Sequence, residues 1–327
     1  MLARIATNLY WTGRYLERSE HLARYLRVQY FSMLDAPMSQ SKDFVLRSVL
    51  DLFGDDSLTG QEQLNEREVL LRVGMDYEAP FSLRATVRSA RENASGLRHV
   101  ISTELWEAIN AYYLHSQHTD AENFAQRGLY DYTMEVSRHC AVIRSRIDDT
   151  LLHDPAWMFV KLGIHLERVA QVVRIVTSKL QDIQVIAASA SPNDNTVLKQ
   201  YQYTVLLKIA EGFDMHRRAY RRRTTQRTVL EFLLGHPLFS RSVLYNLQKI
   251  HDLLRRLHGR RNIDDPAQFR AGRLEARFRY LDHEGVGEQV ETLLAETLDE
   301  VYALHHDIER AYFNPVTVAN HPAQADQ

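Results

Sequence analysis

Residues 9–30 read LYWTGRYLERSEHLARYLRVQY, and residues 159–180 read FVKLGIHLERVAQVVRIVTSKL. In both stretches the apolar residues step by three and four, which is the spacing of one buried helix face. Adding 150 to the positions of the first stripe gives the second without gaps. The polar pattern G-x-x-L-E-R-x5-R, which starts at Gly13 and Gly163, follows the same shift. We therefore interpret the chain as one domain, 1–313, made of two internal repeats, 1–152 and 153–313.

The rest of the chain favours the same fold class. The 327 residues include only thirteen glycines and eight prolines, so helix-breaking residues are rare. The spacing of apolar residues is mostly that of helices. Period-two alternation bounded by tight-turn residues is nearly absent. We predict an all-α bundle of about ten helices in two pseudo-equivalent halves, which meet along the two motif helices. Residues 314–327 are predicted to be a flexible C-terminal tail.

Helix positions follow from the same periodicity. The motif helices are predicted over about 2–33 and from Asp154-Pro155 onward, a good N-cap and first-turn pair. The small, polar segment 187–196 is predicted to be a loop inside the second half, equivalent to the loop at 35–41. Phe81-Ser82 and Phe239-Ser240 are expected to open comparable helices. The other predicted helices are 42–53, 66–73, 83–113, 121–151, 197–223, 228–234, 241–257 and 287–312.

Composition narrows the class of protein. A net charge of −2 and a pI of about 6.7 give no bulk attraction to nucleic acid or to a membrane. Cys140 is the single cysteine, which excludes an internal disulfide and fits a reducing compartment. No apolar run has the length of a membrane span, and the charged N-terminal stretch does not read as a signal peptide. We expect a cytoplasmic protein.

The charged motif residues allow two interpretations. In the structural one, Glu17 and Glu167 are each held by arginines of the opposite half, and such pairs specify the packing register. In the functional one, the glutamates line a cleft as acid or base and the arginines hold a carboxylate or phosphate. The catalytic candidates are Glu17, Glu20 and Glu167, and the ligand-binding candidates here are Arg14, Arg18, Arg24 and Arg168.

A second group of polar residues lies on the helix predicted over 83–113. Arg91, Asn93 and Trp106 are ligand-binding candidates there, and Arg91 and Arg98 are expected to share one face. Glu104 and Glu107 are spaced i,i+3 and repel each other unless a cation lies between them. Either this is a solvated helix face or it is a site wall built with the first helix. Arg241, in the segment Ser240-Arg241-Ser242-Val243, is a further ligand-binding candidate.

Other chemistries have little support in the sequence. Di-iron helical bundles need Glu-x-x-His motifs, and none occurs among the fifteen histidines. No phosphate-binding glycine loop, dinucleotide fingerprint or nucleophile elbow is present. We therefore expect no metal and no cofactor, and we assign any ATP-dependent step to another protein. Cys140, alone on a helix, is interpreted as a packing residue.

The segment 216–261 is basic, with twelve Lys or Arg residues against Glu231 and Asp252. Six of the arginines and Tyr220 fall between 217 and 227. Such a segment either binds an anionic ligand or an acidic protein partner, or pairs with acids of this chain. Nucleic acid is the least favoured partner because the whole chain is slightly acidic.

The segment Asn8–Glu20, N-L-Y-W-x-G-R-Y-L-E-R-x-E, resembles the opening signature of the bacterial alpha-E family of helical proteins. The similarity extends to about residue 313. Further matches lie at Ala90–Ala94, at Ile101–Glu107 with Asn110, at the second Glu-Arg motif, at Glu231–Leu234 and at Ser240–Val243.

The resemblance implies a role beside ATP-grasp amide ligases and transglutaminase-like proteases, the usual companions of the family. We therefore expect an accessory protein of a system that makes or processes a peptide. The alternative is an enzyme acting on that peptide, with Glu17 as acid or base. One departure bears on the alternative: the second motif has Ala170 where the family continues with an acid, whereas the first keeps Glu20.

Overall fold

The computed structural model describes residues 1–35, 41–55, 57–58, 60–189, 192–221, 223–258, 265–282 and 286–314, and this part contains helices and no strands. The predicted all-α class is confirmed. The first-half helices are α1 Ala3–Asp35, α2 Lys42–Phe53, α3 Glu66–Gly74, α4 Leu83–Ser95, α5 Thr103–His118, α6 Ala121–Asn123 and, after a π-helical turn Phe124–Gly128, α7 Leu129–Thr150. The later helices are α8 Pro155–Ser189, α9 Pro192–Ile209, α10 Phe213–Tyr220, α11 Gln226–Leu230, α12 Val243–His258, α13 Pro266–Arg279 and α14 Val286–Ile308, with π-helical turns at Glu231–Gly235 and Glu309–Phe313.

Helices α1 and α8 form the centre of the molecule. They run in the same direction, because Tyr10 lies beside Gly163, Arg14 beside Glu167 and Tyr25 beside Lys179. A Cβ atom on Gly13 would lie 2.2 Å from the carbonyl oxygen of Val160, and one on Gly163 would lie 2.1 Å from that of Tyr10. Only glycine permits this approach, so the predicted contact between the motif helices is present and close.

The helices around this pair repeat in the same order. Helix α4 packs on α1 as α12 packs on α8, and α5 and α13 follow in equivalent places. The Ser82 hydroxyl donates to the Asp76 carbonyl and accepts from the Ala85 amide. The Ser242 hydroxyl donates to His236 and accepts from Tyr245, all 160 positions later. The serine equivalent to Ser82 is thus Ser242, and the expected match with Ser240 was wrong by two residues.

Several predicted helix bounds need correction. The helix predicted over 83–113 is two helices, because the chain turns over 96–101 and the Ser102 hydroxyl then caps α5 by accepting from the Leu105 amide. Most of the loop predicted over 187–196 is helical, since α8 continues to Ser189 and α9 begins at Pro192. The helix predicted over 197–223 breaks at 210–212, and α13 was not predicted.

Two predictions fall largely outside the described residues. These are the loop at 35–41, of which only the two ends are described, and the tail, of which only Asn314 is described. The division of the chain at 152/153 stays a prediction, supported by the repeated helix order.

Candidate functional site

The motif glutamates and arginines pair across the two central helices. Arg168 donates to Glu17 through Nε (2.8 Å to Oε1) and Nη2 (2.6 Å to Oε2). Arg18 donates to Glu167 in the same way, through Nε (2.7 Å to Oε1) and Nη2 (3.0 Å to Oε2). Each Glu-Arg motif therefore supplies the glutamate of one pair and the arginine of the other. Two parallel N–H···O bonds between planar groups are the strongest form of this contact.

Each pair has its own additional partners. Arg14 donates from Nε to Glu167 Oε2 at 2.8 Å, and Gln171 donates to Glu167 Oε1 at 2.8 Å. On the other side, Arg241 lies 3.3 Å from Glu17 Oε1. The surroundings of the two copies have thus diverged while the central pairs kept their geometry.

Around Glu17 the ion pairs extend into a network. Arg241 contacts Glu20 at 3.5 Å and Glu211 at 2.5 Å, and Arg144 also pairs with Glu20. Arg24 lies 3.6 Å from Glu20 and donates from Nε to the Ile209 carbonyl at 2.6 Å. The network holds four arginines (Arg24, Arg144, Arg168, Arg241) and three glutamates (Glu17, Glu20, Glu211).

Burial and pairing act in opposite directions on the motif carboxyl groups. Burial alone would raise the pKa of Glu17, but the neighbouring Arg168 and Arg241 outweigh it and hold that pKa far below its ordinary value. The pKa of Glu167 is lowered in the same way: burial opposes the shift, and Arg18 and Arg14 produce it. Both carboxylates are therefore ionised at neutral pH, a state that suits an ion-pair anchor and not a proton donor.

The three catalytic candidates are almost fully enclosed. Glu17, Glu20 and Glu167 are 3%, 2% and 1% exposed. The arginine candidates of the motif helices, Arg14, Arg18, Arg24 and Arg168, turn inward to acids or carbonyl groups of this chain. The geometry therefore favours the structural interpretation of the motif, although a role in chemistry stays a hypothesis.

The second copy lacks one acid, and its arginine has a different partner. Ala170 stands where Glu20 stands in the first copy, and it is buried. Arg174, the equivalent of Arg24, donates to the hydroxyl of Tyr302 at 2.7 Å. The extended network is therefore specific to the Glu17 side.

The second predicted group lies between two antiparallel helices, and Arg91 and Arg98 do not share a helix face as expected. Arg98 follows the end of α4, and the guanidinium groups of Arg91 and Arg98 both lie over the Trp106 ring, at 5.5 and 5.3 Å. Glu104 and Glu107 are exposed, and Asn93 is half-buried. This arrangement favours the solvated helix face over a site wall.

The basic segment divides into inward and outward residues. Arg241 pairs internally, and Arg227 pairs with Glu231 at 2.9 Å on the surface. The exposed arginines of α10 and the turn that follows are Arg217, Arg218, Arg221 and Arg223. Arg222, Arg260 and Arg261 lie outside the described residues.

Two members of the network, Glu211 and Arg144, and the neighbouring His165 were not identified from the sequence. Glu211 adopts a left-handed backbone (φ 53°) in the turn after α9, a conformation that is uncommon for a residue other than glycine. Arg144 comes from α7, and His165 lies on the motif helix beside Arg168. Glu211 and Arg144 belong to no motif, so only the three-dimensional packing identifies them.

Cys140 lies against the first motif helix. Its thiol is within 3.8 Å of the Leu16 carbonyl oxygen, and burial raises the pKa of this thiol well above its ordinary value. Over the described residues no group of three or more His, Cys, Asp or Glu side chains has an arrangement that could hold a metal ion. Nor does any described helix combine the length and apolar character needed to cross a membrane.

The fold and the crossed pairs define an all-helical protein organised around a duplicated Glu-Arg motif. The chain belongs to the Alpha-E family, described as a predicted alpha-helical domain with a conserved ER motif, which matches residues 1–313. It is 21% identical over 278 residues to Uncharacterized protein Rv2567 of Mycobacterium tuberculosis and to Uncharacterized protein Mb2597 of Mycobacterium bovis. Each alignment covers 78% of this chain and only 30% of the relative. No solved structure matches the chain significantly.

Proposed function

We propose that this chain is a non-catalytic accessory protein of an ATP-grasp amide ligase and a transglutaminase-like peptidase, in a cytoplasmic system that makes or processes a peptide. The observation that carries the proposal is the crossed pairing of Glu17 with Arg168 and of Glu167 with Arg18. These groups are buried and matched to each other, so they build the fold and leave the outer surface for a partner. The companion proteins themselves are inferred from the family resemblance.

The exposed arginines of α10 and its following turn supply a surface for that partner. Arg217, Arg218, Arg221 and Arg223 are all exposed, with only Asp214 as an acid on α10. Complementary charge steers association and fixes register more than it adds affinity. We therefore assign this arginine surface to an acidic face of the ligase. In the mycobacterial relatives the matched region is only 30% of the length. This supports a domain that acts together with other domains.

Binding of the purified chain to the ATP-grasp ligase encoded beside it tests the proposal. We expect a complex that weakens as salt is raised. The variant Arg218→Glu/Arg223→Glu should weaken it by about tenfold or more, because it replaces two attractions by two repulsions. Lys42→Glu, at an exposed lysine in the first half, is the matched control and should leave the affinity within about twofold. Absence of a neighbouring ligase gene, or of any complex, contradicts the proposal.

The enzyme alternative requires the Glu17 carboxylate in the reaction. Glu17→Gln removes its charge and keeps its size, and Glu122→Gln, at an exposed ion pair, is the matched control. The pathway is assayed below the unfolding temperature of both variants. If product still forms at the wild-type rate with folded Glu17→Gln, the accessory role stands. If product is lost while the variant stays folded and still binds the ligase, the enzyme alternative replaces it.

A further inference from the structure

A cleft of about 810 Å³ lies between α8 and α12, and its His165 end adjoins the buried network. On the α8 side it is lined at steps of four by Trp157, Lys161 and His165, and on the α12 side by residues from Tyr245 to Arg256. His165 Nδ1 lies 2.8 Å from Asn246 Oδ1 at one end, and Arg256 lies over the Trp157 ring at the other. The two helices are therefore antiparallel here and form the two long walls of a groove.

The walls of this cleft carry an excess of positive charge. Four cations line it, namely Lys161, Lys249, Arg255 and Arg256, and Asp252 is the acid among the lining residues. Asp148 adds a second acid, since it pairs with Lys161 at 3.0 Å. Among the described residues, four positive charges thus stand against two negative ones, which favours an anionic occupant.

Aromatic rings hold three of these cations in place. Lys161 Nζ is 5.6 Å and the Arg256 guanidinium 5.5 Å from the centre of the Trp157 ring, and Lys249 Nζ is 5.3 Å from that of Tyr245. His153 stacks on Trp157 with ring centres 4.3 Å apart, which fixes the ring itself. Side chains that are held in place before binding lose less conformational entropy when a ligand binds.

His165 adds a hydrogen-bond acceptor of defined direction. The Asn246 amide nitrogen donates to the carbonyls of Ser240 (3.0 Å) and Ser242 (2.7 Å), so its oxygen accepts from His165 Nδ1–H. Burial, reinforced by Arg168, lowers the pKa of His165 to about 3. The imidazole is therefore neutral with its lone pair on Nε2, and the side chain lines the cleft.

We propose that this cleft binds an extended acidic peptide segment, with carboxylates on Lys161, Lys249 and Arg256 and a backbone N–H on His165. The α8 wall from 157 to 165 is about 12 Å long at the helical rise of about 1.5 Å per residue. Extended chain covers about 3.4 Å per residue, so the cleft accommodates about four residues. The inference rests on the proposed function, because the natural ligand would be the peptide of that system.

A peptide fits the lining better than a phosphate does. Inorganic phosphate can offer His165 Nε2 one O–H donor, but it is too small to span a cleft wall of about 12 Å. The phosphodiester groups of a nucleic acid satisfy cations but carry no hydrogen-bond donor. A peptide presents amide donors along its backbone and carboxylates on alternate sides. An acidic peptide therefore matches both the neutral acceptor and the flanking cations of the cleft.

Titration with fluorescein-labelled tetraglutamate, followed by fluorescence anisotropy at low salt, tests this assignment. We expect saturable binding to the full chain that weakens as salt is raised. Lys249→Glu/Arg256→Glu should lower the affinity by about tenfold or more, and the milder Lys249→Gln should lower it less. Lys42→Glu, which reverses an exposed charge of the first half outside the cleft, is the matched control and should change the affinity less than about twofold. Labelled tetraglutamine should not bind.

Three results would overturn the assignment: no tetraglutamate binding up to millimolar concentration, equal loss with Lys42→Glu, or displacement of the peptide by inorganic phosphate or a short RNA at lower concentration than by free tetraglutamate. The experiment is separate from the ligase test. If tetraglutamate binds and the ligase does not, the proposed accessory role fails while the cleft assignment holds. If the ligase binds and tetraglutamate does not, the reverse is true.

Discussion

Gly13 and Gly163 occupy equivalent positions at the contact between the two central helices, and each faces the backbone of the other helix. Gly13 faces the carbonyl oxygen of Val160, and Gly163 faces that of Tyr10. Tyr10 is the equivalent of Val160, 150 positions earlier in the chain. The distance from a Cβ atom built on the glycine to that oxygen would be 2.2 Å at Gly13 and 2.1 Å at Gly163. This reciprocity indicates a local twofold relation between the copies and brings the Glu-Arg motifs within pairing distance.

Gly13→Ala and Gly163→Ala should destabilise the protein by similar amounts. Each new Cβ meets backbone atoms, which cannot turn aside as a flexible side chain can. Overpacking of this kind costs about 1–3 kcal/mol, and the helix preference of alanine offsets about 1 kcal/mol of it. We expect a net loss of about 1 kcal/mol, and at most about 2 kcal/mol, in the free energy of unfolding measured with urea.

Gly60→Ala is the control for those variants, because a Cβ there meets no atom within 4 Å. It should change the free energy of unfolding by less than about 0.5 kcal/mol. Because both glycines belong to one contact, the double variant should lose less than the sum of the single ones. Independent, fully additive losses would argue against the shared contact.

Glu17→Gln should lower the free energy of unfolding by about 3 kcal/mol, because it leaves the buried Arg168 without its full counter-charge. Glu122→Gln removes one partner of an exposed pair with Arg67 and should cost less than about 1 kcal/mol. Chemical denaturation at neutral pH measures both. Similar small losses for the two variants would show that the Glu17 pair contributes little.

The stability of the protein should fall in acid, and Glu17 should account for part of the fall. Its pKa is far below the ordinary 4.5 in the folded chain, so below about pH 4.5 the unfolded chain takes up a proton that the folded one refuses. The stabilisation is complete above that pH and decreases as pH falls toward the folded pKa. Between pH 7 and pH 3.5 the stability gap between wild type and Glu17→Gln should narrow by roughly 1 kcal/mol. A gap that does not depend on pH would contradict the lowered pKa.

Cys140 should react slowly with a thiol reagent in the folded protein. It is 2% exposed, and burial raises the pKa of its thiol, so thiolate is scarce and the reagent has no access. We expect labelling by a disulfide reagent to be about a hundredfold slower in buffer than in guanidinium. Because the chain has no other cysteine, the signal belongs to this residue. Fast labelling of the native protein would exclude the burial described here.

The sequence predicted the centre of the fold well because the centre is regular. The stripes of α1 and α8 carry the 3.6-residue period over many turns, and their buried members, such as Leu9, Leu16, Leu162 and Leu166, lie where the period puts them. Helix ends were harder to predict, because they depend on single caps. The chain turns between α4 and α5, where Ser102 begins a new helix, although the apolar spacing continues across the turn.

The site was only half predictable for a related reason. Pairing of Glu17 and Glu167 with arginines of the opposite half was one of two alternatives from the sequence, and the structure identifies these arginines as Arg168 and Arg18. Nothing in the local sequence of Glu211 or Arg144 marks them as partners of Arg241 and Glu20. Their contacts join separate segments of the chain, so they depend on packing that no local pattern encodes.

The crossed pairs have a consequence for how such a chain can change over time. Loss of the motif glutamate from one copy leaves a buried arginine of the other copy without its counter-charge. A compensating substitution of that arginine therefore lies about 150 positions away, on the other central helix. The two copies are therefore bound to drift together at these positions while remaining free to differ elsewhere, as Ala170 and Glu20 already do. If the two halves were separate chains, each would need the other, because each carries the arginine that pairs with the buried glutamate of the other.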